Sequence, residues 1–213
     1  MRTLLTALCL LPGLALAAPA SPASTKAAAT AKVGVSTSNC VTLATSDGDI
    51  TLKLNPAKAP ASVANFLGYV DKGFYNGTVF HRVISDFMIQ GGGFDDHGNR
   101  KRTGDPIVNE SDNGLDNERG SIAMARTSNP NSATSQFFIN LVNNAYLNYR
   151  ASGNPGNGYA VFGKVIAGMA IVDKIGDSDT HVGSLDGYGA PNVPVTPILI
   201  KTAMRVACPA AKP

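Results

Sequence analysis

A chain of 213 residues, 44% hydrophobic and 15% charged, is long enough to bury one well-formed core and leave a tail. Its formal charge of +3 is too small to hold a polyanion. The one tight basic run, Arg100-Lys101-Arg102, lies between Gly98 and Gly104 and reads as a solvated loop, so no nucleic-acid partner is expected.

The first residues read as an address. Arg2 supplies a positive start, Leu4 to Leu16 an apolar stretch broken by Pro12-Gly13, and Ala15-Leu16-Ala17 a small-residue cleavage site. Residues 1–17 are therefore expected to be an export signal. The stretch is too short and broken to span a bilayer, and Cys9 sits inside it, so no membrane anchor is expected. Residues 18–37 are almost all Ala, Ser, Pro, Thr and Lys and read as a flexible spacer. The mature domain is then 38–208, with a short tail at 209–213, in the periplasm or, alternatively, secreted. Cys40 and Cys208 lie near its two ends. A bond between them requires the first and last strands to be neighbours, and two unpaired thiols are the other reading.

From Val41 the pattern is that of strands. Val41–Thr45 and Ile50–Leu54 alternate around Asp47-Gly48, a hairpin dipeptide. After Pro60, the apolar positions Val63, Phe66, Leu67 and Val70 step by three and four up to Gly73, which predicts one amphipathic helix. A second hairpin, 80–93, is unusual because Arg82 and Gln90 stand among aromatics, Met and β-branched residues. A two-residue turn would put those two on opposite faces. The preferred three-residue turn, Ser85-Asp86-Phe87, pairs Ile84 with Met88 and Arg82 with Gln90. Three glycines, 91–93, are read as ending the second arm.

Residues 94–119 are polar and glycine-punctuated and predict a long loop, the kind that often borders a site. Strands are expected at 120–126 and 135–141, with Gln136 again beside aromatics, and at 160–165. Met169, Ile171, Val172 and Ile175 predict a second helix ending at Gly176. Prolines 191, 194 and 197 lead to a final strand at 198–204. Short antiparallel strands, two isolated helices and no βαβ repeat predict a mainly β fold, a closed barrel capped by helices.

Several chemistries find no support. His81, His97 and His181 lack ligand spacing, Ser135 lies in no nucleophile elbow, and Gly91-Gly92-Gly93 is not a phosphate cradle. His81 is expected to point away from Arg82 and pack in the core.

The segments Phe80–Ile84, Phe87–Gly92, Met124-Ala125, Ser135–Ile139 and Val161–Val165, in this order and spacing over roughly 39–207, resemble the cyclophilin family of peptidyl-prolyl cis-trans isomerases. The exported form, with Ala125-Arg126-Thr127 and Gly158-Tyr159-Ala160, is most similar to bacterial periplasmic members. The resemblance implies an eight-stranded antiparallel barrel with two helices and a side-chain-filled interior, its active groove on the outer face. It implies Arg82 as the catalytic arginine and Gln90 as the amide beside it. Phe87, Met88, Phe138 and Leu147 would line a proline pocket, while Ala125, Arg126 and Gln136 would meet the peptide backbone. Tyr146 and Tyr159 stand on the rim where the family often has Trp and His, which sets cyclosporin sensitivity apart from the family pattern. Arg126 stands where Asn is common. The implied partners are proline-containing polypeptides, with no cofactor or metal and a monomeric enzyme. A proline-peptide-binding folding helper without turnover is the alternative.

Overall fold

The alternation of β-branched and aromatic residues with polar ones drives most of the chain into short antiparallel strands. The computed structural model describes residues 38–152 and 157–209. The expected leader, the spacer and most of the 209–213 tail lie outside them. In chain order the elements are β1 (Cys40–Thr45), β2 (Asp49–Leu54), α1 (Pro60–Asp71), β3 (Thr78–Ile84), β4 (Met88–Asp95), β5 (Ser121–Met124) and β6 (Phe137–Asn140). A single 3-10 turn at Ala145–Leu147 precedes β7 (Val161–Ala167), α2 (Met169–Gly176), β8 (Thr180–Leu185), β9 (Tyr188–Pro194) and β10 (Leu199–Val206). Eight strands close a barrel in the order β1-β10-β3-β4-β6-β5-β7-β2, and β8 and β9 form a separate two-stranded sheet. Every pairing is antiparallel.

Side chains fill the barrel. Leu43, Ile50, Leu52, Phe80, Val83, Ile89, Ile122 and Ile139 point inward with essentially no exposure, while α1 contributes Val63, Phe66, Leu67 and Val70 and α2 contributes Val172 and Ile175. The Phe66 ring lies 5.1 Å from Tyr75, 5.6 Å from Phe137 and 5.3 Å from Phe162, centre to centre. Aromatic contacts at such distances add to the burial of each ring. With its interior occupied, the fold must bind anything else on its surface.

Helix α1 begins without a side-chain cap at Ala59. Its free N–H groups are met from the long loop instead: Ala61 N donates to Glu110 Oε1 at 2.9 Å, Ser62 N to Glu110 Oε2 at 2.8 Å, and Ser62 Oγ to Oε2 at 2.7 Å. A carboxylate satisfies these donors and faces the positive end of the helix. The loop is thereby tied down near the groove described below.

Three readings need correction. The glycines do not end the second arm: β4 runs through Gly91-Gly92-Gly93 to Asp95, which pairs with Thr78. They are glycines because neighbours crowd the strand. A Cβ on Gly92, at φ +81°, would lie 2.8 Å from the Tyr75 ring, and one on Gly93 would lie 2.6 Å from the Gln136 side chain. Secondly, two strands, β8 and β9, stand before the final strand, where the sequence marks only prolines 191, 194 and 197. They turn at Asp186-Gly187, with φ of 56° and 80°, and Pro191 falls at a bulge that exempts it from the ladder. Thirdly, His81 is buried but lies outside the barrel interior. The register of β3 shifts between Phe80 and Arg82, so strict alternation fails there. The imidazole packs on the Phe94 ring at 4.7 Å, in a small cavity under β8 and β9.

Cys40 and Cys208 are joined by a disulfide, their Cα atoms 5.2 Å apart. The pairing of β1 with β10, Cys40 opposite Val206, brings them together. Among the described residues no helix is long and apolar enough to cross a membrane.

Candidate active site

The β3–β4 hairpin sets the register of the site. Its turn is Ser85-Asp86-Phe87, with Asp86 at φ 56° and Phe87 N donating to Ile84 O at 3.2 Å. This pairs Ile84 with Met88 and Arg82 with Gln90. The row continues around the barrel, because Gln90 faces Phe138 on β6 and Phe138 faces Ala123 on β5. A guanidinium, an amide, a phenyl ring and a methyl group thus lie side by side on the outer wall.

These outward side chains make an apolar cluster of their own, separate from the barrel core. Met88, Ala123, Phe138 and Val161 form its buried floor, with Phe87, Ala125, Leu147 and Tyr159 packed against it. A cavity of about 120 Å³ opens on this cluster, lined by Arg82, Phe87, Met88, Gln90, Ala125, Arg126, Phe138, Leu147 and Tyr159. Small-molecule pockets usually span roughly 300–1,000 Å³, so this one has room for a single small ring. A larger cleft of about 550 Å³ lies around Lys53, Asp116, Glu118 and Lys164. It joins acidic and basic side chains without an aromatic floor.

Two residues expected at the site stand outside the cavity lining. Gln136 sits behind it as a brace: Arg82 Nη1 donates to Gln90 Oε1 at 3.3 Å, and Gln90 Nε2 donates to Gln136 Oε1 at 3.0 Å. The amide of Gln90 is thereby oriented with its oxygen toward the arginine. Tyr146 is 61% exposed and stacks on Phe87 at 5.9 Å, forming the outer lip. Phe87 itself is fixed through its carbonyl, which accepts from Leu141 N and from Asn144 Nδ2, each at 2.9 Å.

Behind the brace lies His81, 4% exposed, whose Nδ1 makes no hydrogen bond. Burial lowers its pKa from 6.5 to about 4; the Val79 backbone opposes this, Arg100 and Arg82 reinforce it, and the Gln136 side chain weakly opposes it. The ring is neutral at ordinary pH.

The side chain of Arg126 does more than sequence reasoning assigned to it. Its Nε and Nη2 donate to Gly158 O at 3.2 and 3.0 Å, and Nη1 donates to Thr127 O at 2.9 Å. The guanidinium also lies 4.6 Å from the centre of the Tyr159 ring, which stands nearly perpendicular to the Phe138 ring with their centres 5.6 Å apart. Arg126 therefore holds one wall of the cavity. Val161 and Ala123, two floor residues, were also missed. Both read as ordinary strand residues, and only barrel closure shows which face of the strand they occupy.

A filled antiparallel barrel with an arginine beside a ring-sized apolar cavity on its outer wall is a cyclophilin-type architecture. Residues 40–204 match the family described as cyclophilin type peptidyl-prolyl cis-trans isomerase/CLD, and the chain belongs to that family of isomerases. It is 54% identical over 168 residues to peptidyl-prolyl cis-trans isomerase A of Dickeya dadantii, covering 78% of this chain and 84% of that one. It is 56% identical over 135 residues to peptidyl-prolyl cis-trans isomerase B of Escherichia coli, covering 63% and 82%. A crystal structure of a cyclophilin type peptidyl-prolyl cis-trans isomerase from Cryptosporidium parvum, in the presence of the dipeptide Ala-Pro, superposes with a TM-score of 0.64 at 27% identity. It covers 79% of this chain and 99% of that one.

Proposed function

We propose that the cavity takes a proline ring and that Arg82 accelerates rotation of the preceding peptide bond by donating a hydrogen bond to the twisted amide. The observation that carries this is the shared lining: the guanidinium and the apolar walls belong to one small cavity. A planar amide delocalises its nitrogen lone pair, which gives a rotation barrier of about 18–20 kcal/mol. Halfway through rotation the lone pair is localised and accepts a hydrogen bond. A donor held there stabilises the rotated state more than either planar isomer. The reaction needs no nucleophile and no proton transfer.

One charge-assisted hydrogen bond contributes about 1.5–3 kcal/mol, and a million-fold acceleration needs about 8 kcal/mol. The remainder falls to the walls formed by Phe87, Met88, Phe138 and Leu147, which hold the ring while the carbonyl on the other side of the bond turns. Gln90, braced by Gln136, keeps the guanidinium from swinging away. The polypeptides served are exported proteins during folding, and the enzyme works as a periplasmic monomer. The leader-like residues 1–17 support this placement, as does the Cys40–Cys208 bond, since disulfides persist in oxidising compartments.

The test is an isomerisation assay on a proline tetrapeptide with the wild type, Arg82→Ala and Arg82→Lys. Both variants are expected to bind the peptide and to lose most turnover, because a lysine lacks the planar fork of donors. Near-normal kcat in either variant refutes the role given to Arg82.

A further inference from the structure

The cavity is lined by two guanidinium groups and no carboxylate. Neither Arg82 nor Arg126 has an ion-pair partner among the described residues. The nearest acidic residue along the chain, Asp86, is an exposed turn residue outside the lining, and Glu110 is engaged with the start of α1. The donors of Arg126 go to the carbonyl oxygens of Gly158 and Thr127, and its face lies over Tyr159. Carbonyl dipoles and a π face hold a cation in place without cancelling its charge. This wall of the cavity therefore carries a fixed positive charge, although the chain as a whole has a net charge of only +3.

We propose that the groove prefers proline bonds whose preceding residue is acidic, and that Arg126 is the specificity-determining residue. The inference rests on the reading that the cavity takes the proline ring, since the residue before the proline must then lie along the cavity mouth. Both arginines are half-buried, so their attraction for a carboxylate falls between the strong interior and weak surface limits. A three- to tenfold advantage in kcat/KM for Glu over Lys at that position is the order of magnitude to expect at low ionic strength.

The experiment measures kcat/KM by a protease-free isomerisation assay on three tetrapeptides with Glu, Ala or Lys before the proline. The wild type should rank them in that order, and the Glu-to-Lys ratio should shrink toward one in about 1 M NaCl, where the screening length is near 3 Å. Arg126→Gln should lower the ratio, whereas Arg126→Lys, which keeps the charge but loses the fork, should preserve it. Because the ratio is taken within one preparation, a general loss of activity from a displaced Tyr159 cancels. A wild-type ratio at or below one, or a ratio that Arg126→Gln leaves unchanged, overturns the inference. Normal turnover of the Ala peptide by Arg82→Ala would instead overturn the underlying assignment of the groove.

Discussion

Replacing His81 by leucine should remove an acid-sensitive part of this protein's stability. The imidazole is nearly fully buried and its Nδ1 is unpaired, and burial takes its pKa from 6.5 to about 4. The unfolded chain therefore binds a proton more readily than the folded one throughout that window. Where the unfolded state holds more protons, stability rises with pH. The full stability is present above about pH 6.5 and declines as the pH falls toward 4. At about 1.4 kcal/mol for each tenfold difference in proton affinity, the loss reaches roughly 2.5 kcal/mol at pH 4.5. Urea unfolding at pH 7.5 and at pH 4.5, on wild type and His81→Leu, measures it. Carboxylates titrate in both proteins, so the difference between the two losses isolates the histidine. The wild type should lose about 2.5 kcal/mol more than the variant, and equal losses would show that His81 is not held neutral by burial.

Gly93→Ala would place a methyl group 2.6 Å from the Gln136 side chain, pushing the amide off Gln90. Losing that brace, worth about 1 kcal/mol, should lower kcat roughly fivefold with the fold intact; a circular-dichroism melt beside the kinetics checks both, and an unchanged kcat contradicts the bracing role. Glu110→Ala leaves Ala61 N, Ser62 N and Ser62 Oγ without their acceptor. It should cost about 2–3 kcal/mol in urea unfolding, and a cost below about 0.5 kcal/mol would mean that water caps the helix equally well.

The residues that were legible in advance are those whose partners lie near in sequence or whose type is out of place. Arg82 and Gln90 on an apolar hairpin demanded an explanation; the sequence allows two turn lengths, and the preferred three-residue turn is the one that pairs them as the structure does. The β8–β9 hairpin was hidden because Pro194 alone among its residues is buried, so it lacks the alternation that marks a half-buried strand, and its prolines mimic a loop. The clamp of Arg126 on Tyr159 joins positions on separate segments through a positive-φ glycine, Gly158, and no local pattern announces it. The glycines of β4 misled for a related reason. What makes them glycine is the bulk of Tyr75, Phe137 and Gln136, residues distant in the chain.

The bond between Cys40 and Cys208, 168 positions apart in sequence, has a mechanical meaning. Tension applied at the two ends of the domain passes through that covalent link and bypasses the barrel, so the strands and the groove they carry bear none of the load. Only a reducing agent would transfer the pull to β1 and β10, the pair that would then have to part first.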